Sequence, residues 1–165
     1  MKKGRYQQRL ELQNTNRPID VIKHWIDNDY LELNPPYQRG DVWGPVRRKN
    51  LIRSIQLGIP IPSIVINDRF HAGWGLEGKI VVIDGKQRVT TIGMFLKDEL
   101  TVPGAWFGID APSVKFSELP KPEQRHLSFC SLPFSEGTLK TLEDEQKVFE
   151  LVNFGGVPQG ESDNE

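Results

Sequence analysis

The residues best suited to chemistry form one short segment, 84–88, which reads Asp-Gly-Lys-Gln-Arg and follows an apolar run at 80–83. Four apolar residues in a row, all of them β-branched, are typical of a buried strand. Asp-Gly favours a tight turn, and apolar residues at helical spacing come next. Such a turn directs backbone N–H groups and a helix N-terminus at one point, and both attract anions. The segment therefore predicts a phosphate site.

Two cations stand in the first turn of this predicted helix, Lys86 and Arg88. Each is unfavourable there by a few tenths of a kcal/mol unless an anion is present, because helix dipoles favour acidic residues at that end. The forked guanidinium of Arg88 matches phosphate oxygens. Asp84 can pair with Arg88 or hold Mg²⁺ carried by a nucleotide, while Thr90 and Thr91 add nearby hydroxyls. The alternative, an exposed turn without function, stays open.

A second polar loop follows two consecutive prolines. Gln38 and Arg39 can reach toward the same anion, and Tyr37 and Trp43 offer aromatic faces on which any base can stack. The alternatives are a surface loop with an exposed arginine and two aromatic residues that only fill the core. The loop is thus a candidate second wall of the phosphate site.

The apolar pattern of the chain predicts the elements that must position these residues. A first helix is expected to begin after Asn16 as N-cap, and a last one after Thr141. Helices are predicted at about 17–28, 45–58, 86–98 and 142–153, and strands at 31–33, 63–67 and 79–83, with a hairpin-like connection at 68–78. This mixture predicts an α+β fold, with a single domain over 1–157 and a mobile acidic tail at 158–165.

Composition narrows the function further. The net charge of −1 gives no general attraction to nucleic acid, so DNA binding has to be local. The predicted second helix offers Arg47, Arg48 and Lys49 for that purpose. The single Cys130 and three distant histidines argue against a disulfide or a zinc site. No stretch approaches the roughly 18 apolar residues of a membrane span, so a cytoplasmic protein is expected.

Three further segments, read in order with 84–88, resemble those of a known family. They are Pro36–Trp43, Leu51–Pro62 and Asn153–Gly156. Together they resemble the N-terminal domain of GmrSD-type modification-dependent restriction endonucleases, whose hallmark is a D-G-Q-Q-R motif. The resemblance covers about residues 18–157. It implies a ParB-like fold, related to the ParB N-terminal domain and sulfiredoxin, in which a small mixed sheet packs with helices.

The resemblance also implies a nucleoside triphosphate ligand with Mg²⁺ and slow NTP hydrolysis. The matching positions are Asp84, Gly85, Gln87 and Arg88 in the hallmark and Gln38 and Arg39 in the loop. The resulting hypothesis has Arg88 and Arg39 bind phosphates, Gly85 cradle them, Asp84 orient Arg88 or the metal, and Gln87 position water. Lys86 replaces the first Gln of the hallmark, which retains a long polar donor and adds charge.

Family enzymes usually continue into an HNH nuclease domain, and this chain has no histidine-asparagine constellation for that chemistry. A nuclease or dimerisation partner is therefore expected in trans, in phage-host conflict within a bacterial cell, and a homodimer is one arrangement. Two alternatives remain. One is a module without catalysis that holds DNA or a partner protein through Arg47, Arg48 and Lys49. The other is DNA nicking by the domain itself, with Asp84 as its single metal ligand.

Overall fold

The computed structural model of the protein describes residues 9–38, 40 and 42–155. Its strands are β1 (Leu12–Pro18), β2 (Leu31–Glu32), β3 (Ile64–Asp68), β4 (Ile80–Asp84) and β5 (Ser131–Gly137). Its helices are α1 (Asp20–Asp27), α2 (Pro45–Gln56), α3 (Lys86–Leu96), α4 (Lys121–Ser128) and α5 (Leu142–Phe154). The predicted α+β class is confirmed. The predicted tail at 158–165 lies outside the described residues.

The strands form one mixed sheet in the order β1-β5-β3-β4-β2. β1 runs antiparallel to β5, β5 parallel to β3, β3 antiparallel to β4, and β4 parallel to β2. The antiparallel pairing of β3 with β4 makes their connection the hairpin predicted from the sequence. The small mixed sheet expected from the family resemblance is therefore present.

β4 lies inside the molecule and is covered on both faces. Val82 belongs to the larger core, which packs under α1, α2 and α3, whereas Val81 and Ile83 belong to a smaller core with Val148 and Phe149 of α5. Successive side chains of a strand point to opposite faces, so a strand buried on both faces is apolar at every position. This explains the unbroken apolar run before Asp-Gly.

The N-terminal part of the chain differs from the prediction. Asn16, expected to cap the first helix, lies in β1 opposite Pro133 of β5. α1 begins only after Ile19, and no side chain caps it. The local sequence predicts a cap at Asn16, because the pairing with β5 involves residues more than 110 positions away and cannot be seen in a local pattern. Pro18 ends β1 without disrupting the sheet, because β1 is an edge strand.

The other helix predictions were accurate to within about two residues, and Thr141 caps α5 by accepting a hydrogen bond from the backbone N–H of Asp144. Between residues 99 and 133 the structure has two short 3₁₀ turns and α4. Among the described residues, no helix has the length and apolar character needed to cross a bilayer.

Candidate functional site

The turn between β4 and α3 has the geometry that the sequence predicted. Asp84 ends the strand, Gly85 adopts a left-handed conformation with φ of 99°, and α3 begins at Lys86. No side chain caps this helix and no acidic residue stands in its first turn. A Cβ on Gly85 would lie 3.0 Å from Nη2 of Arg88 and 3.3 Å from Cγ1 of Ile64. Only glycine fits this turn without strain.

Arg88 folds back against the turn. Its Nη2 donates to Oδ2 of Asp84 and to the backbone carbonyl of Ser63, both at 3.1 Å. The Arg88 side chain is 14% exposed and that of Asp84 is 25% exposed. Nε of Arg88 is buried and has no hydrogen-bond partner among the described residues. The ion pair therefore occupies only one terminal nitrogen of the guanidinium and one oxygen of the carboxylate.

A cavity of about 380 Å³ opens in front of this turn, and we call it the Gly85 cavity. Its wall consists of residues 84–88, the loop residues Gln38, Gly40 and Trp43, Arg47 of α2, and Phe149, Asn153 and Phe154 of α5. Its volume lies within the range of small-molecule sites, roughly 300–1,000 Å³. The three segments that carry the family resemblance at 36–43, 84–88 and 153–156 thus contribute residues to one cavity.

Gln87 connects the loop with α2. Its Oε1 accepts a hydrogen bond from the backbone N–H of Trp43 at 3.2 Å and one from Nη2 of Arg48 at 3.4 Å. Arg48 also donates to the Trp43 carbonyl and to Oγ1 of Thr91, both at 3.1 Å, and to Sδ of Met94 at 3.2 Å. The guanidinium of Arg48 is thus bonded within the protein, and the DNA contact predicted for Arg48 stays a prediction.

Gln38 is held in the opposite sense to Gln87. Its Nε2 donates to the backbone carbonyls of Ile83 at 3.0 Å and Val82 at 3.4 Å. Its Oε1 is buried and has no hydrogen-bond partner in the described part of the chain. The amino group of Gln38 is thus bonded to β4, and its oxygen makes no hydrogen bond within the described residues.

Other predicted site residues have different surroundings. Thr91 is fully buried, its hydroxyl accepts the Arg48 hydrogen bond, and it is not part of the cavity wall, so its role as a phosphate ligand stays a prediction. Neither Thr90 nor Lys49 is part of the cavity wall. Lys86 lines the cavity and its Nζ donates to Oδ1 of Asn34. Arg39 lies outside the described residues.

The two aromatic candidates separate clearly. Tyr37 packs against Phe149 with ring centroids 5.5 Å apart, and its hydroxyl donates to Glu145. Its ring is thus in contact with the protein, and base stacking on it stays a prediction. Trp43 lines the cavity and carries the guanidinium of Arg47 4.5 Å from its ring centroid. Of the two predicted stacking residues, Trp43 is the one that borders the Gly85 cavity.

Sequence reasoning missed a buried polar group, which we call the Glu145 cluster: Tyr37, Asn67, Arg69 and Glu145. Glu145 is fully buried, and its carboxylate accepts from Asn67 Nδ2 at 2.7 Å, Arg69 Nε at 2.8 Å, Arg69 Nη2 at 2.7 Å and the Tyr37 hydroxyl at 3.2 Å. Burial and the Glu145 carboxylate raise the pKa of Tyr37, so its hydroxyl remains a donor. The available signal was the spacing of Glu145 with the buried Val148 and Phe149, which places it on the apolar face of α5.

Within the described residues, no group of three or more His, Cys, Asp or Glu side chains is arranged to hold a metal ion. Among the described residues, Asp84 is the one carboxylate in the wall of the Gly85 cavity. Its Oδ2 is paired with Arg88. A metal held by the protein alone is therefore not supported, whereas Mg²⁺ bound mainly by phosphates and water needs only one or two carboxylates.

Comparison with known proteins gives one match. The family model for the GmrSD restriction endonuclease, N-terminal domain, matches residues 22–130, which is more than half of the chain. The matched range contains most of α1, all of α2, α3 and α4, the loop at 36–43 and the turn at 84–88, while β1, β5 and α5 lie outside it. Searches of curated proteins and of solved structures gave no significant match.

Proposed function

The chain belongs to the family of the GmrSD restriction endonuclease N-terminal domain, and we propose that it binds a nucleoside triphosphate in the Gly85 cavity and hydrolyses it slowly as a switch. One observation carries this proposal. The uncapped start of α3, with no acidic residue in its first turn, faces a cavity that also holds Lys86, Arg88 and Arg47. Backbone N–H groups and cations arranged in this way suit a polyphosphate.

The phosphates and the base of a nucleotide each have a proposed contact in the cavity. The phosphates would lie against the Gly85 turn, where Asp84 holds Arg88 in place and leaves guanidinium donors for the ligand. A base would stack on Trp43, which is half-buried in the cavity wall. Stacking on an aromatic face is worth about 1–3 kcal/mol per base in nucleic-acid sites. The arrangement supports a nucleotide more strongly than a simple anion.

Mg²⁺ fits this site as the cation of the nucleotide. Asp84 has one oxygen, Oδ1, that is outside its ion pair with Arg88, and it would be the single side-chain ligand. When bound, Mg²⁺ would neutralise phosphate charge and polarise the phosphoryl oxygens. The residues of the chain bind and orient the nucleotide around it.

The family supports a proposal for the biological setting. We assign the protein a role in restriction, in the cytoplasm of a bacterium exposed to phage, with a nuclease supplied by a partner protein. Nucleotide binding at the Gly85 cavity would report to that partner through α5, since α5 forms one wall of the cavity and has exposed Leu151 and Val152 on its surface.

The decisive experiment is a thermal-shift series with ATP, GTP, CTP and UTP, with and without Mg²⁺, followed by phosphate release. At least one nucleotide should stabilise the protein, and Arg88→Ala should abolish the shift. Arg88→Lys, which retains the charge, guards against a folding defect. Arg53→Ala is the matched control, because Arg53 stacks on Trp106 and lies outside the cavity wall. Absence of any nucleotide shift, or an unchanged shift in Arg88→Ala, would refute the proposal.

A second candidate function is DNA or protein binding without catalysis. Arg47 favours this function, because it is exposed on α2. Arg48 gives it no support, because its guanidinium is bonded to Thr91 within the protein. Nucleotide stabilisation without phosphate release supports a binding module. A DNA affinity that falls steeply with salt and is lost in Arg47→Ser with Lys49→Ser supports the DNA-binding form.

A further inference from the structure

The two glutamines of the Gly85 cavity are fixed with opposite polarity. From this we infer that Arg48 and the backbone of Trp43 orient the Gln87 amide so that its amino group, and not its oxygen, meets a phosphate oxygen of the ligand. Arg48 is then a positioning residue. The inference rests on the proposed nucleotide site and deepens it, since it changes which glutamine can act on which part of the ligand.

The first step is the chemistry of the neighbours. A backbone N–H and an arginine guanidinium are donors only. Both approach the same atom of Gln87, at 3.2 Å from Trp43 and 3.4 Å from Arg48, so that atom has to be the amide oxygen. The amide cannot be turned over without directing N–H groups at N–H groups.

The second step is the direction of the amino group. Nε2 of Gln87 lies 3.8 Å from the position that a Cβ on Gly40 would occupy, and Gly40 itself lines the cavity. The amino group therefore faces the side of the cavity that glycine leaves open. Its two N–H bonds can be donated to an anionic oxygen there.

The third step is the rigidity of the clamp, by which we mean Arg48 and the Trp43 backbone that bind the Gln87 oxygen. Arg48 is anchored by three acceptors besides Gln87, which are the Trp43 carbonyl, Oγ1 of Thr91 and Sδ of Met94. Thr91 is fully buried, so one of these anchors lies in the core. Arg48 is not part of the cavity wall, so it acts on a ligand only through the wall residues that it holds, which are Gln87 and the backbone of Trp43.

The inference reverses the role expected for Gln87 from the sequence. An amide that presents N–H groups does not accept a proton from an attacking water, but it stabilises negative charge on phosphate. Gln38 has the complementary polarity, because β4 carbonyls hold its amino group and its oxygen has no partner among the described residues. A water or a ligand hydroxyl has its acceptor at Gln38.

The orientation of Gln87 can be tested without any ligand. In Gln87→Glu a carboxylate still accepts from Trp43 and Arg48, so the melting temperature should equal or exceed that of the wild type. In Gln87→Lys a donor meets two donors, and the melting temperature should fall. The difference in melting temperature between Gln87→Glu and Gln87→Lys should be smaller when Arg48 is also replaced by Met. An equal difference in both backgrounds would overturn the assigned orientation.

The effect on the ligand is tested by a double-mutant cycle with the nucleotide that stabilises the wild type best. Gln87→Met should weaken binding about tenfold, the equivalent of ~1.4 kcal/mol. Arg48→Met should weaken it several-fold, Arg48→Lys less, and Arg48→Met should have a clearly smaller effect once Gln87 is Met. Lys49→Met removes a charge from the same helix without touching the clamp and should bind as the wild type does.

The outcomes separate this inference from the proposed function. Additive effects of Arg48→Met and Gln87→Met would overturn the positioning role while nucleotide binding stands. Unchanged affinity in Gln87→Met would overturn the donor role. If the wild type binds no nucleotide, the proposed function fails together with the donor role, and the measurements without ligand still decide the orientation of the amide.

Discussion

Two arginine-carboxylate pairs lie on the two sides of β4, and they are built differently. In the Glu145 cluster, Arg69 uses two nitrogens on two carboxylate oxygens, and Glu145 is completely buried. In the Gly85 cavity, Arg88 uses one nitrogen on one oxygen of a partly exposed Asp84. In the first pair both carboxylate oxygens are bound by the arginine, whereas in the second pair one carboxylate oxygen stays outside the ion pair.

The difference distinguishes a structural polar group from a binding site. Two-point contact with a buried carboxylate satisfies both partners and fixes their geometry. Single-point contact orients Arg88 and leaves Nε buried without a partner in the described structure, as is also true of Oε1 of Gln38. Polar atoms of this kind are uncommon in folded proteins and call for an explanation. A bound nucleotide would supply one.

The two regions are linked by adjacent residues of one loop. Tyr37 belongs to the Glu145 cluster, and Gln38 belongs to the wall of the Gly85 cavity. Tyr37 is held by Glu145 and Phe149 of α5, so the loop that carries Gln38 is anchored to α5. The closed cluster therefore positions part of the open site.

The largest expected effect comes from breaking the closed pair. Arg69→Met leaves the Glu145 carboxylate buried without its cation, and the free energy of unfolding should fall by about 3–5 kcal/mol. Chemical denaturation measures this loss. Lys23→Met breaks the exposed Lys23–Asp27 pair and should leave the denaturation midpoint unchanged. A similar response of both variants would mean that the Glu145 cluster is no more structural than the surface.

An intermediate effect on stability is expected from a substitution in the Gly85 cavity. Gly85→Ala places a Cβ in a left-handed turn and against Arg88, so it should lower the free energy of unfolding by about 1–3 kcal/mol and also abolish the nucleotide-dependent shift. Gly108→Ala is a matched control, since Gly108 has φ of 67° but open space around it. Strain alone should leave nucleotide binding intact in that variant. Loss of the shift in Gly108→Ala would show that strain, and not the turn, is responsible.

The smallest effect concerns the departure from the family hallmark. Lys86→Gln restores the D-G-Q-Q-R sequence and removes one charge beside the proposed phosphates. Nucleotide affinity should fall by no more than about fivefold, because a charge near solvent contributes roughly 1 kcal/mol or less. Titration calorimetry at two salt concentrations measures the change. A gain in affinity would contradict a phosphate contact for Lys86.

The comparison also shows what the sequence could reveal. The Gly85 turn was predictable because its strand, turn and helix are contiguous, and each follows from local pattern. The Glu145 cluster was not, because Asn67 and Glu145 are 78 residues apart and meet only after the sheet has formed. The internal contacts of Arg48 were not predictable for another reason. Its position on α2 shows that a cation is near the surface, but it does not show that the long side chain returns to Thr91.

The order of the strands has a consequence for the protein during its synthesis. β5 lies between β1 and β3, and α5, which follows β5 in the chain, supplies one wall of the Gly85 cavity. The sheet therefore cannot be completed, and the cavity cannot close, until residues up to Phe154 have left the ribosome. Such non-local pairing forms late and slowly. A nascent chain that ends before α5 would carry the Gly85 turn and Arg88 but no site able to hold a nucleotide.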